Sequence, residues 1–141
     1  MIELLKNILI VGVGSFLGGS ARYLVSFLLK GYNTSFPWAT LIVNLLGCFA
    51  IGLLCGYLLK TNSGQNFIST FFVYGICGGF TTFSTFSKET LLMIQCGNYL
   101  NAFTYVAISI IIGLLLTACG YLLAKKKKKR KYIYYYFALI T

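Results

Sequence analysis

Residues 75–89 read GICGGFTTFSTFSKE and interrupt an apolar region with five hydroxyl side chains and three phenylalanines. The glycines in the first half of this stretch weaken a helix, because glycine loses the most backbone freedom when it becomes helical. Hydroxyl groups in an apolar environment cost free energy unless they have a partner. The stretch therefore predicts a break in a longer helix, and it needs either a packing reason or a functional one.

The composition around this stretch is that of a membrane protein. The chain has 141 residues, of which 58% are hydrophobic, and it contains only two acidic residues and no histidine. Outside a basic block at residues 125–131 the charges are sparse, and the long apolar segments between the connections each exceed the roughly 20 residues that cross a bilayer. We predict an all-α membrane protein with four transmembrane helices at residues 4–29, 38–59, 67–96 and 101–123, the third broken near its middle.

Short connections between these helices predict a single domain, residues 1–124, followed by a basic, tyrosine-rich tail, residues 125–141. The first apolar stretch is too long for a signal peptide and lacks a small-residue cleavage site, so we interpret it as a helix. The five cysteines fall singly in the predicted helices, which favours a packing role over a metal site.

The net charge of +10 is concentrated in the sequence KKKKKRK. Such a run can contact nucleic acid, but directly after a transmembrane helix it favours anionic lipid and a cytoplasmic location. With four helices, Lys6, Lys60 and the basic block lie on one side, which predicts that both termini are cytoplasmic. The aromatic remainder of the tail fits an interfacial or disordered segment, and a lipid-binding tail is the alternative.

Glycines four residues apart predict close helix packing, because they let two backbones approach. Three such pairs occur, namely Gly14 with Gly18, Gly52 with Gly56, and Gly75 with Gly79.

Several polar side chains are predicted at mid-membrane depth. Thr40 and Asn44 share a face of the second helix, as Tyr105 and Ser109 do in the fourth, and all four can donate a hydrogen bond. Such side chains, when functional, mark ion pathways. The alternative is structural, because serine and threonine often bond to their own helix and asparagine often joins two helices.

The third segment adds Phe83 and Phe86, three residues apart, with Ser84 and Thr85 between them. Hydroxyls and the positive edges of phenyl rings suit an anion, whereas a cation pathway usually has carboxylates and only Glu89 is available. Backbone freed by the break could bind a cation through its carbonyls. The residues alone thus indicate an oligomeric four-helix membrane protein, with an ion pathway as one interpretation and helix packing as the other.

Three motifs also resemble, in order and spacing, the CrcB/Fluc family of fluoride channels. They are GGSARY at residues 18–23, TLIVNLLGCFAIG at residues 40–52, and the opening stretch itself. The resemblance extends over about residues 12–123. It implies an antiparallel, dual-topology dimer of four-helix subunits with two fluoride pores, a structural sodium ion at the dimer interface, and passive fluoride export across a bacterial cell membrane.

The resemblance also implies roles for individual residues. Phe83 and Phe86 resemble the family's aromatic box, Asn44 its pore asparagine, and Ser84 with Thr85 its polar track. Tyr105 and Ser109 occupy the positions at which the fourth helix contributes, and we include Thr40, one turn before Asn44, in the same fluoride pathway.

Gly78 and Thr81 match the positions whose backbone carbonyls hold sodium in the family. Arg22 matches a family arginine, either in an electropositive vestibule or as a structural anchor. Glu89 matches a family glutamate whose role we leave open.

The basic tail departs from the family pattern, because antiparallel homodimers need nearly balanced loop charge. We therefore expect either a heterodimer with an oppositely oriented homologue or a homodimer whose orientation the tail does not control. Two further hypotheses are a proton-coupled fluoride transporter with Glu89 as proton carrier, and a structural or lipid-organising membrane protein. We predict no enzymatic activity, since no convincing nucleophile–base pair can be assembled without histidine or aspartate.

Overall fold

The computed structural model describes residues 1–30, 36–61 and 66–125, and this part of the chain is helical with no β-strand. The elements are α1 (Ile2–Leu28), α2 (Trp38–Thr61), a π-helical segment (Ser69–Cys77), α3 (Gly78–Phe80), α4 (Phe83–Gln95) and α5 (Tyr99–Ala124). The predicted all-α class is therefore confirmed. Apart from Lys125, the predicted tail lies outside the described residues.

Three helices in the described ranges are long and apolar enough to cross a membrane, namely Ile2–Leu28, Trp38–Lys60 and Tyr99–Ala124. They coincide within two residues or so at each end with the first, second and fourth predicted helices. Their apolar side chains remain largely exposed in the single chain, as expected where lipid or a second chain covers the helix surface.

Two shorter helical stretches occupy the region of the third predicted helix. The first runs through the π-helical segment and α3, and the second is α4. Thr81 (ψ 157°) and Thr82 (φ −149°, ψ 110°) lie between them in extended conformations. Because extended residues cannot continue the helical hydrogen-bond ladder, the backbone groups here need other partners.

Helix directions follow from the residues that face each other. Gly14 faces Phe71 and Gly18 faces Ile76, so α1 is parallel to the π-helical segment. Asn44 bonds to Thr82, while Cys48 and Ile51 line the same cavity as Cys77 and Val73, so α2 is antiparallel to that segment.

The last long helix has the same direction as α2. Gly52 faces Thr117 and Gly56 faces Tyr121, so both positions advance together along the two helices. Consequently the start of α1 and the ends of α2 and α5 lie at one end of the molecule, which we call the first end. The turn between α4 and α5 lies at the opposite end.

The predicted glycine pairs lie at these helix contacts, which confirms their packing role. A Cβ atom on Gly52 would collide with the carbonyl oxygen of Thr117, and one on Gly18 with the carbonyl oxygen of Ile76. At the α2–α5 and α1–π-segment interfaces the backbones are therefore in direct contact, and a side chain larger than that of glycine at these positions would not fit.

The turn after α4 is a Schellman motif built on Gly97. Its φ of +76° lies in the left-handed region. The Gly97 N–H donates to the Ile94 carbonyl (3.0 Å) and the Asn98 N–H to the Met93 carbonyl (2.9 Å). This termination lets α5 begin at Tyr99 and pack antiparallel to α4, so that residues of α4 and α5 meet across a short hairpin.

Candidate functional site

The interruption between α3 and α4 is held by the side chain of Asn44. The Thr82 N–H donates to Asn44 Oδ1 (2.8 Å), and Asn44 Nδ2 donates to the Thr82 carbonyl (3.2 Å). Only one orientation of the amide satisfies both contacts, because an N–H must donate and a carbonyl must accept. Asn44 thus replaces the helical partners that Thr82 has lost.

Thr82 also caps α4 through its hydroxyl. Thr82 Oγ1 accepts from the Thr85 N–H (3.3 Å) and donates to Thr85 Oγ1 (3.0 Å), and Ser84 Oγ lies 3.3 Å from it. Threonine is a favoured N-cap residue because its side chain satisfies one of the free N–H groups of the first turn. The result is a cluster of three hydroxyls, which we call the hydroxyl cluster, at the positive end of the α4 dipole.

Three other hydroxyls in and just after the stretch donate to the backbone carbonyl four residues earlier. Ser87 Oγ donates to the Phe83 carbonyl (2.9 Å), Thr90 Oγ1 to the Phe86 carbonyl (2.8 Å), and Thr81 Oγ1 to the Cys77 carbonyl (2.9 Å). Their hydrogen atoms are therefore already used, as is common for serine and threonine in apolar helices.

Glu89, which is half-buried, joins three helices through polar contacts. Thr40 Oγ1 donates to Glu89 Oε1 and Tyr105 OH donates to Glu89 Oε2, each at 2.9 Å. Thr40 is 5% exposed and Tyr105 is fully buried. Each carboxylate oxygen thus has one donor, and the single O–H proton of each donor points at Glu89. We call these three residues the Glu89 triad.

A row of aromatic rings connects the hydroxyl cluster with the Glu89 triad. Ring centroids are 5.7 Å apart for Phe83 and Phe86, 5.0 Å for Phe86 and Tyr105, and 5.6 Å for Tyr105 and Phe36. Phe83 is 79% exposed, whereas Phe86 packs against the buried residues around Tyr105. The predicted pair of phenylalanines therefore lies at one end of a longer aromatic row.

A cavity of about 310 Å³ opens beside the interruption. Its lining includes Gly78 and Thr81, the two predicted sodium positions, together with Asn44, Thr82 and Phe83. Gly78 has no side chain, and the Thr81 hydroxyl donates its hydrogen to the Cys77 carbonyl, so these two positions can offer a cation their backbone carbonyls and the lone pairs of the Thr81 hydroxyl. Oxygen ligands of this type suit a hard cation, so the residues present fit a sodium ion.

Two further predicted residues lie apart from these clusters. Arg22 Nε donates to the Gly79 carbonyl (3.2 Å), so it contacts the helix that ends at the interruption. Ser109, one turn beyond Tyr105 on α5, has a buried hydroxyl with no hydrogen-bond partner among the described residues. A buried donor without a partner is costly, which makes Ser109 a candidate contact for a group that the chain alone does not supply.

Sequence reasoning missed Thr82 and Phe36. Thr82 could have been found as an N-cap, because a threonine immediately before a helical pattern is a recognised start signal. Nothing local identifies Phe36, because its contact with Tyr105 joins residues far apart in the chain.

The fold and these clusters define a multi-pass helical membrane protein that carries polar side chains inside its apolar region. Residues 9–121 match the family model described as CrcB-like protein, Camphor Resistance (CrcB). The chain therefore belongs to the CrcB family.

Relatives named fluoride-specific ion channel FluC match nearly their whole length. The protein of Flavobacterium psychrophilum is 40% identical over 122 residues, which cover 86% of this chain and 98% of the relative. That of Azobacteroides pseudotrichonymphae is 44% identical with the same coverage. That of Chlorobaculum tepidum is 45% identical over 121 residues, 86% of this chain and 96% of the relative.

Proposed function

We propose that this protein is a fluoride-selective ion channel that lets cytoplasmic fluoride leave the cell passively and so reduces fluoride toxicity. The observation that carries the proposal is the similarity, over 98% of their length, to proteins named as fluoride-specific ion channels. The function is therefore conduction and not enzymatic catalysis. The aromatic row and the hydroxyl cluster supply the chemistry that such conduction requires.

Fluoride is small and strongly hydrated, so a narrow pathway must replace its water with close donors. Phe83 and Phe86 can present positive ring edges, and Ser84 and Thr85 lie at the positive end of α4. We propose that these four residues form the central part of the pathway. Its width and the spacing of its donors would exclude the larger chloride ion.

The remaining pathway residues combine structural and conducting roles in this proposal. Asn44 Nδ2 has two N–H groups, and the contact with the Thr82 carbonyl uses one of them. The second is available to an anion. Ser109 adds a buried hydroxyl that has no partner among the described residues. Thr40 and Tyr105 donate their hydroxyl protons to Glu89, so each would have to break that hydrogen bond before it could donate to fluoride.

We propose that the backbone carbonyls of Gly78 and Thr81 hold a structural sodium ion. Both residues line the cavity beside the interruption. A bound sodium would neutralise the carbonyl end of α3 and stabilise the extended residues that follow. Arg22, on the Gly79 carbonyl, would support the same backbone as a structural anchor, while a role in an electropositive vestibule stays the alternative.

We also propose that residues 67–96 cross the membrane as one interrupted span, which completes four spans. Two chains would then pair antiparallel, as a homodimer or with an oppositely oriented homologue. Two observations support pairing. Phe83 is 79% exposed in the single chain, and the extended residues Thr81 and Thr82 line an open cavity beside it. Irregular backbone at membrane depth is tolerated when protein or a water-filled cavity covers it, and a second chain would provide that cover.

The decisive experiment is fluoride efflux from liposomes that contain only this purified chain, measured with a fluoride electrode beside a chloride control. We expect rapid efflux of fluoride and none of chloride. Efflux from the single chain would also establish a functional homodimer. The channel proposal would be contradicted if no fluoride efflux is seen with the purified chain alone and none is seen when the chain is co-expressed with an oppositely oriented homologue.

The same assay tests the aromatic residues. We expect Phe86→Ile to reduce fluoride efflux on the order of tenfold, because the aliphatic side chain keeps the packing but lacks the positive ring edge. Phe16→Ile is the matched control, since Phe16 is 71% exposed on α1, away from the aromatic row, and its replacement should leave efflux unchanged. Equal effects of the two substitutions would remove Phe86 from the pathway.

A further inference from the structure

Thr82 engages all of its polar groups. Its backbone N–H and carbonyl are bound by the Asn44 amide at 2.8 and 3.2 Å. Its hydroxyl donates to Thr85 Oγ1 at 3.0 Å and accepts from the Thr85 N–H at 3.3 Å. A hydroxyl has one hydrogen and two lone pairs. Thr82 therefore keeps a single acceptor site and has no hydrogen left for an anion.

The remaining acceptor site of Thr82 decides how the Ser84 hydroxyl is directed. Ser84 Oγ lies 3.3 Å from Thr82 Oγ1, and the distance alone allows either hydroxyl to donate. Because the one hydrogen of Thr82 goes to Thr85, Ser84 has to be the donor in this contact. Ser84 would therefore have to break its bond to Thr82 before it could donate to fluoride.

Thr85 is the member of the hydroxyl cluster whose hydrogen is not taken within the described ranges of the chain. Its oxygen accepts from Thr82, and its hydroxyl donates to none of the described residues. Ser87 and Thr90 on the same helix differ, because their hydroxyls donate to carbonyls four residues earlier. A hydroxyl that accepts from a neighbour turns its own hydrogen away from that neighbour, so Thr82 controls where the Thr85 hydrogen points.

We propose that Thr82 is a positioning residue of the fluoride pathway. It does not contact the ion, and it orients the Thr85 hydroxyl so that the Thr85 hydrogen is free to donate to the ion. The inference rests on the proposed function, fluoride conduction. A hydroxyl that accepts a hydrogen bond is polarised and becomes a stronger donor, which suits an anion that must exchange its water for protein groups.

The first test compares three substitutions in the liposome efflux assay. Thr82→Val keeps the shape of the side chain and removes the hydroxyl. We expect fluoride efflux to fall about tenfold, the effect of one hydrogen bond to a charged group. Thr82→Ser keeps the hydroxyl and should conduct near the wild-type rate. Thr90→Val is the matched control, since the Thr90 hydroxyl is bound to its own helix, and it should also conduct near the wild-type rate.

A double substitution separates positioning from helix capping. Thr82 also caps α4, so Thr82→Val should lower the thermal unfolding midpoint whether or not Thr82 orients Thr85. Thr85→Val removes the donor itself and should reduce efflux about tenfold. If Thr82 acts through Thr85, adding Thr82→Val to Thr85→Val should cause no further loss. A loss caused only by a weakened helix would instead multiply the two effects.

Ser84→Ala provides a test that does not require the Thr82 variants to fold. Its hydrogen is given to Thr82, so we expect a smaller loss of efflux than in Thr85→Val. Elution at the wild-type volume in gel filtration shows that each variant is folded.

Three results would each overturn the assignment of Thr82 while leaving the channel in place. They are wild-type efflux from Thr82→Val, losses that multiply in the double substitution, and a larger loss in Ser84→Ala than in Thr85→Val. The channel proposal fails separately, and this inference with it, if the wild type conducts no fluoride either alone or with an oppositely oriented homologue.

Discussion

At the scale of single residues, two side chains organise the polar interior. Asn44 completes the hydrogen bonds of Thr82, and Glu89 receives the protons of Thr40 and Tyr105. Both are polar groups whose burial costs free energy unless they are fully bonded. They therefore link α2 to α4 and α5 through hydrogen bonds.

Removal of the Asn44 amide should be costly. We expect Asn44→Ala to leave the Thr82 N–H and carbonyl without partners and to lower stability by about 1–3 kcal/mol for each group that stays dry. The thermal unfolding midpoint in detergent measures this loss. The midpoint of Asn44→Asp should lie between those of the wild type and Asn44→Ala, because a carboxylate can accept from the Thr82 N–H but cannot donate to the Thr82 carbonyl. Asn7→Ala controls for the loss of an amide on α1, and an equal midpoint for both alanine variants would contradict the assigned role.

Glu89 separates the channel from a proton-coupled transporter. We expect Glu89→Gln to retain fluoride efflux that is independent of a proton gradient. Its thermal midpoint should be lower, because the amide has a single acceptor oxygen and leaves one of the two hydroxyl donors without an acceptor. Liposome efflux measured with and without a pH gradient decides between the two mechanisms. Wild-type flux that requires the gradient, and is abolished in Glu89→Gln, would favour the transporter.

At the scale of elements, close helix contacts and one interruption define the architecture. Glycines bring α2 against α5 and α1 against the π-helical segment, while Thr81 and Thr82 separate α3 from α4. The hydrogen bonds of Asn44 to Thr82, and of Thr82 to the first turn of α4, place the start of α4 against α2. The hydroxyl cluster consequently lies at a capped helix N-terminus and not in an irregular loop.

Two glycine substitutions test the helix contact. A Cβ at Gly52 would collide with the Thr117 carbonyl, whereas a Cβ at Gly12 has no atom within 4 Å. We expect Gly52→Ala to destabilise the protein by about 1–3 kcal/mol through overpacking. Gly12→Ala should be neutral or stabilising by up to about 1 kcal/mol, since it removes a flexible residue from a helix. Thermal midpoints in detergent measure both, and similar midpoints for the two variants would disprove the close contact.

At the scale of the whole molecule, the helix directions bring the start of α1 and the end of α5 to the same end. Lys6, Lys60 and Lys125 lie at that end, while the rest of the basic block is outside the described residues, so its predicted sidedness stays a prediction. The charge asymmetry favours a cytoplasmic location for that end. It also makes the orientation of each copy in the membrane a property that can be measured directly.

We expect tags on the two termini to have the same accessibility in intact cells. Each terminus is tagged separately and probed with a membrane-impermeant reagent before and after permeabilisation. A mixture of orientations would fit an antiparallel homodimer, and a purely cytoplasmic result would exclude homodimers and require an oppositely oriented partner. Opposite accessibility of the two tags would contradict an even number of membrane spans.

The sequence by itself determined the all-α membrane class, the three long apolar helices and the glycine contacts, because hydrophobic length and residue spacing are local properties. It also indicated which side chains are polar at membrane depth. Only the tertiary structure decided which of those side chains have partners, since Asn44 meets Thr82 across 38 residues and Thr40 meets Glu89 across 49. Which polar groups become hydrogen-bond partners depends on where two helices come into contact, and local sequence patterns do not specify that contact.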